Sequence, residues 1–167
     1  MLAHVLVPLD GSEMAEIAIP FARQITRPAG KITLLTVLDI SEHYIYHMYP
    51  PVIAPTEEYR QAIDNLMPQA KTYMETIATK LREEDFEVEI EAVAGDPATV
   101  IVDTAEKLKV DAITICTHGR SGLSRWLFGS VTNKVMGSAS CPLFVVPGRK
   151  LRPEAGQQNV DSGATET

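Results

Sequence analysis

The sequence predicts an α/β fold: a single doubly wound domain with a five-stranded parallel sheet and helices on both faces. Three observations predict it. Short apolar, β-branched runs alternate with helical patterns as far as residue 147, so the order reads β-α-β-α-β-α-β-α-β. The inner runs are almost continuously apolar, as strands covered on both faces must be. The 167 residues suit one domain around one core, and 45% hydrophobic with 22% charged residues is an ordinary globular balance.

The elements follow in order. Residues 3–9 (AHVLVPL) form a first strand that ends at Asp10–Gly11–Ser12, a turn and helix-start signal. Residues 13–26 place Ile17, Ala18, Phe21, Ala22 and Ile25 on one helical face, and residues 28–30 stop that helix. Residues 32–38 (ITLLTVL) are the second strand. Residues 39–56, rich in proline and tyrosine, break the pattern as a long loop. Residues 57–84 are a long amphipathic helix with Ile63, Leu66, Met67, Ala70, Tyr73, Met74, Ile77 and Leu81 on one side; Pro68 predicts a kink or two helices in succession.

Residues 86–93 alternate (FEVEIEAV), which marks a half-exposed strand near a sheet edge. Gly95–Asp96–Pro97 opens a helix to about residue 108, with Pro97 suited to its first turn. Residues 111–117 are the fourth strand, a helix follows Gly129 to about Ser138, and residues 142–146 (PLFVV) are the fifth strand. From Gly148 the composition turns small and polar, so residues 1–147 are expected to be the domain and 148–167 a flexible tail.

Composition excludes several function classes. A net charge of −7 argues against general nucleic-acid binding, which needs a basic face. No apolar run approaches the ~20 residues of a membrane span. The opening MLAHVLVPLDGSE has neither a basic region nor a cleavage site and reads as a strand rather than a signal peptide. The two cysteines, Cys116 and Cys141, form no CxxC pair, so a reduced, cytoplasmic setting is expected.

In a parallel α/β sheet, ligands sit beyond the carboxyl ends of the strands, where the strand order reverses. The loop after the first strand (residues 10–12) and the loop after the fourth (CTHGRSGLSRWLFGS, residues 116–130) are the natural pair for that crevice. Gly119 and Gly122 let backbone amides approach a ligand, and Gly129–Ser130 starts a helix whose free N–H groups attract anions. Arg120 and Arg125 can add charge. The same residues also serve as plain punctuation, with Ser130 capping a helix. Spacing alone leaves a phosphate cradle and a turn about level.

Residues 116–130, together with PLDGS at 8–12, VLD at 37–39, AGDP at 94–97 and CPLFVVP at 141–147, resemble the universal stress protein family over essentially residues 2–147. The family's nucleotide motif, G-x2-G-x9-G-[S/T], maps to Cys116, Gly119 and Gly129–Ser130, with Cys116 in place of the first glycine. The resemblance implies the strand order 3-2-1-4-5 and an adenine nucleotide, ATP foremost and with Mg2+ as an optional companion. Its contacts would be Pro8, Asp10, Val37, Cys116, Gly119, Arg120, Gly122, Gly129 and Ser130. Asp10 would face the adenosine and the Val37 backbone would border the adenine. A capping role for Asp10 or Ser12 competes, since Asp10-x-x-Glu13 has capping-box spacing.

The fifth strand, with Leu143, Phe144, Val145 and Val146, would then be an apolar edge. Such an edge invites a homodimer through antiparallel pairing with its copy. A stress-response or signalling module fits this reading better than an enzyme, because no nucleophile–base pair or acidic metal cluster stands out; slow ATP turnover is the most expected of it. The alternative is a stress-protein dimer without nucleotide, which the Cys116 replacement favours. The ATP-pyrophosphatase type is a weaker rival, since PLDGSEM lacks its S-G-G-x-D-S loop. His43 and His47 read as loop residues rather than metal ligands, and His118 alone is weak evidence for acid–base chemistry. Cys116 and Cys141 lie at opposite ends of a parallel strand pair, beyond reach of a disulfide.

Overall fold

A computed structural model describes residues 1–39, 57–117 and 129–148. Along them run β1 (Leu2–Pro8), α1 (Glu13–Glu16), α2 (Ala18–Ile25), β2 (Thr26–Leu38), α3 (Glu57–Arg82), β3 (Glu87–Ala94), α4 (Pro97–Leu108), β4 (Ala112–Thr117), α5 (Ser130–Ser138) and β5 (Leu143–Pro147). The five strands make one parallel sheet in the order β3-β2-β1-β4-β5. The expected fold class and strand order are therefore observed. Residues 40–56, with His43 and His47, residues 118–128, with His118 and Arg125, and the tail beyond Gly148 lie outside the described residues.

Alternation along each strand divides the core in two. Val5, Val7, Ile32, Leu34 and Val88 face α2 and α3 and pack with Ala18, Ala22, Met74, Ala78 and Leu81. Leu6, Leu35, Ile113 and Ile115 face the other way, against Ala98, Ile101 and Ala105 of α4 and Val135 of α5. Helices following β1 and β2 thus cover one face, and those following β3 and β4 cover the other. This double winding puts the switch point between β1 and β4.

Pro8 shapes that point. In a strand, successive N–H groups point to opposite neighbours. The Leu9 N–H goes to the Leu35 carbonyl of β2 at 2.8 Å, so the position before it would donate towards β4. Proline has no N–H to donate. The β1–β2 ladder accordingly runs up to Pro8↔Leu35, whereas the β1–β4 ladder holds only Val5↔Ala112 and Leu6↔Ile113. Above Leu6 the two central strands part.

Several boundaries differ from the sequence expectation, each for a physical reason. The helix expected over 13–26 is two, joined at Ile17. Pro20 cannot donate to the Glu16 carbonyl, so a continuous helix would lose a bond there. Residues 28–30 interrupt a strand that already begins at Thr26: Leu2 pairs with Thr26 but His4 with Lys31, with Ala29 at φ 54° in the bulge between. Gly30 suits this crowded turn, because a Cβ there would come within 2.6 Å of Thr26 Cγ2. Pro68 does not divide α3, which is one helix; Pro68 and Asp64, whose carbonyl loses the usual i+4 donor, are both exposed to water. Burial in α3 begins at Ala70, so Leu66, expected on the core side, is 40% exposed.

At the amino end of the sheet, Asp111 accepts hydrogen bonds from the backbone N–H groups of Ala3 (2.6 Å) and His4 (2.9 Å), which hold its carboxyl below the usual range. The His4 Nε2 lies 2.8 Å from Thr33 Oγ1, and burial, then the nearby Lys31 ammonium, push the His4 imidazole below its ordinary 6.5. The unfolded chain therefore binds a proton at His4 that the folded chain refuses, and stability falls as pH drops from 6.5 towards the folded value. Urea midpoints at pH 7.5 and 5.5 check this. His4→Gln, which keeps a neutral partner for Thr33, is expected to show a smaller acid loss than wild type; an equal loss assigns the effect elsewhere.

Candidate functional site

Where β1 and β4 part, a cavity of about 240 Å³ opens at the carboxyl end of the sheet. Pro8, Leu9 and Asp10 enter from β1 and its loop, Leu35 and Val37 from β2, Ile115 and Cys116 from the end of β4, and Gly129, Ser130, Val131 and Thr132 from the start of α5. Pro97 and Ile101 of α4 and Ala15 of α1 close the sides. Six of the sequence-predicted site residues are thus brought to one place: Pro8, Asp10, Val37, Cys116, Gly129 and Ser130. The other three, Gly119, Arg120 and Gly122, lie outside the described residues.

Each polar group there has a local cause. Asp10 is not the cap of the first helix. Ser12 is, accepting from the Ala15 N–H at 3.1 Å, and Asp10 Oδ1 supports it by accepting from the Ser12 N–H (3.0 Å) and hydroxyl (2.6 Å). The second Asp10 oxygen is not engaged by any described residue, and Asp10 is exposed. Tyr73 of α3 donates its hydroxyl to Glu16 at 3.0 Å and so ties α1 to the long helix beside this loop. Burial, then the Glu16 hydrogen bond and the Glu16 and Asp10 charges, raise the Tyr73 phenol well above its usual range.

Across the cavity, Ser130 does not cap α5 either. The cap is Gly129, which offers no side-chain hydrogen bond, so among the described residues no side chain caps the first amides of the helix, and Gly129, Ser130, Val131 and Thr132 line the cavity. The Gly129 N–H itself donates to Thr117 Oγ1 at 3.2 Å. Gly129 has φ −58°, which any residue adopts, and a Cβ there would meet nothing within 4 Å. Among the described residues nothing requires glycine at this position. Asp96, by contrast, is consumed locally: it caps α4 through the Thr99 N–H at 3.0 Å and hydroxyl at 2.8 Å, which depress its carboxyl.

The chemistry available is recognition. Leu35, Val37, Ile101, Ile115 and Val131 make apolar walls for a flat uncharged group, the α5 amides suit an anion, and the Asp10 carboxylate suits a hydroxyl or amine donor. No group of three or more His, Cys, Asp or Glu able to hold a metal occurs among the described residues. Sequence reasoning missed Pro97, Ile101 and Thr132 as lining. The AGDP stretch and the apolar period of residues 97–108 carried that signal, but only the crossover of α4 brings it to this mouth.

The profile of the universal stress protein family matches residues 1–147. The chain is 34% identical to universal stress protein MJ0577 of Methanocaldococcus jannaschii, over 87% of this chain and 95% of that one. The solved structure of MJ0577 superposes with a TM-score of 0.72, covering 89% of this chain and 96% of that one. Universal stress protein UspA from Lactobacillus plantarum is 25% identical, with a TM-score of 0.68 over 86% of this chain and 97% of that one. An Arabidopsis thaliana member solved with AMP bound shares the fold at 19% identity, with a TM-score of 0.58 over 87% of this chain and 91% of that one.

Cys116 stands at the cavity floor, packed against the core beneath α2 and α3. Burial, then the negative charge of Asp10, raise its thiol above the ordinary value, and burial does the same for Cys141. Both cysteines are free, and Cys116 pairs with Val146, several residues up the strand from Cys141, as expected. A raised thiol holds little reactive thiolate near neutrality. Iodoacetamide at pH 7.5 is therefore expected to label both cysteines several-fold more slowly than an unstructured control peptide, followed by mass spectrometry. Labelling at the control rate contradicts this placement.

Proposed function

The chain belongs to the universal stress protein family, and on that premise we propose that it binds an adenine nucleotide, ATP foremost, in the cavity between β1 and β4 and works as a dimeric stress-response module. One observation supports the reading: Gly129, which no described residue requires to be glycine, stands before a helix that no described side chain caps, and both line an apolar cavity. A base fits the apolar walls, Asp10 accepts from the ribose, and the phosphates lie on the α5 amides; the family motif adds Gly119, Arg120 and Gly122 as expected contacts. Any Mg2+ is held mostly by phosphate and water. The Arabidopsis protein's AMP is that protein's property, and at its identity the likeness speaks for the fold. Cys116, in the place of a motif glycine, is what favours the second reading, a stress-protein dimer with no nucleotide.

Calorimetry tests the first reading. Wild type is expected to bind ATP, and Gly129→Val to weaken binding at least tenfold while leaving the melting temperature within a degree or two, because its side chain enters space the protein leaves open. Absence of ATP binding to wild type at millimolar nucleotide overturns the proposal and leaves the second reading.

The dimer reading rests on the contrast between the two sheet edges. β3 carries Glu87, Glu89 and Glu91 on one face, and Lys31 of β2 matches Glu89 (2.6 Å) and Glu87 (3.5 Å). Such a charged row resists pairing with a copy of itself. β5 has no charge, and Phe144 is 42% exposed on it. A two-fold axis lets β5 pair antiparallel with its copy, while Pro142 and Pro147 limit the extension. Phe144→Lys leaves the monomer core untouched, so sedimentation at tens of micromolar is expected to show a wild-type dimer and a folded, monomeric variant. A monomeric wild type, or a variant that stays dimeric, overturns this interface.

A further inference from the structure

Thr117 ends β4 and is buried, yet it is not part of the cavity wall. Side chains alternate along the strand, so Thr117 points with Ile113 and Ile115 towards α4 and α5, while Cys116 points the other way. Its hydroxyl accepts from the Gly129 N–H at 3.2 Å. The rest of Thr117 is fixed from the opposite side. It pairs in register with Pro147 of β5, and its carbonyl accepts from the Gly148 N–H at 2.9 Å. A Cβ at Gly148 would lie 2.7 Å from that carbonyl oxygen and 3.0 Å from the Met14 side chain, so the chain packs here with no room for a side chain. Branching at Cβ also makes threonine stiff about χ1. The hydroxyl that meets Gly129 is therefore held by the sheet.

Gly129 is where that rigidity is spent. The first bond of the α5 ladder runs from the Asn133 N–H to the Gly129 carbonyl at 3.0 Å. The N–H groups of Ser130, Val131 and Thr132 thus precede the ladder, and all three residues line the cavity. Gly129 has no side chain to hold the turn. Its bond to Thr117 ties the start of the helix to the end of β4 and takes the Gly129 N–H out of the set open to a ligand. Donors that are aimed before binding need not be ordered by the ligand, and an anion shared among several amides is sensitive to their mutual aim.

We propose that Thr117 is a positioning residue for the phosphate end of the site: its hydroxyl anchors Gly129 and so aims the Ser130, Val131 and Thr132 amides at one anion. This rests on the nucleotide reading above and deepens it. Thr117 acts through Gly129 and touches no ligand, so its effect falls on a phosphate ester and spares a nucleoside, whose base and ribose meet the apolar walls and Asp10.

Two variants separate the hydroxyl from the packing. Thr117→Val keeps the branched shape and removes the acceptor; Thr117→Ser keeps the acceptor and removes the methyl. By calorimetry, Thr117→Val is expected to bind ATP about tenfold more weakly than wild type and adenosine unchanged, while Thr117→Ser stays within about twofold of wild type for both. In wild type, the Gly129 amide is expected to exchange with solvent more slowly than a free peptide amide, with and without ATP, which decides the point even where the valine variant fails to fold. Equal ATP affinity in Thr117→Val and wild type, or Gly129 exchange at the free-peptide rate, overturns this proposal and leaves the nucleotide reading standing. Parallel loss of adenosine binding, or a serine variant as weak as the valine one, also overturns it by showing a packing role. Wild type that binds neither ligand overturns the nucleotide reading together with this one.

Discussion

A proline at the end of the first strand decides what this sheet can do. Parallel strands stay together only while each contributes donors on both sides. Pro8 withholds the donor that would reach β4, while Leu9 still reaches β2 at 2.8 Å. The centre of the sheet is thus sealed below Leu6 and Ile113 and open above them. Everything assigned to the site follows from that opening. Asp10 and Cys116, at the ends of neighbouring strands, face one cavity, and α1 and α5 leave for opposite faces without closing it.

Rigidity around the opening comes from short, redundant contacts rather than from burial. Asp10 braces Ser12, Ser12 caps α1, and the Glu16–Tyr73 bond ties α1 to α3. On the far side Thr117 uses its hydroxyl for Gly129 and its carbonyl for Gly148. Each of these bonds contributes modestly, on the order of 1 kcal/mol. Together they brace the described part of the rim. The apolar walls behind the rim belong to the two core clusters and are held by packing.

The two edges of the sheet are treated differently, and the difference is chemical. β3 is guarded by a row of glutamates, one of which is neutralised closely by Lys31, whose ammonium is raised by the Glu89 hydrogen bond. β5 carries Leu143, Phe144, Val145 and Val146, with Phe144 turned to the surface. Alternating glutamates cost little on a strand with one open side and forbid self-association there. An uncharged edge is stable in water only when something covers it.

Much of this was legible in the residues. The β-α alternation, the near-continuous apolar runs of β2 and β4, the charged alternation of β3 and the Asp96–Pro97 helix start each arise from neighbours in sequence, where period and capping chemistry act directly. So does the convergence of Pro8, Asp10, Val37, Cys116, Gly129 and Ser130, because strand ends in a parallel sheet must share one side. Other features depended on partners distant in the chain. Whether Asp10 or Ser12 caps α1 turned on which oxygen reached Ala15. Leu66 carries the right period for burial, yet α3 packs on the strands only from Ala70 onward. Pro97 and Ile101 join the site because α4 crosses over the far face, and Gly148 is required because Thr117 and Met14 leave no room for a side chain. Local pattern determines what each segment can become; which groups are spent on caps and which remain for a ligand is decided by distances that exist only once the sheet has formed.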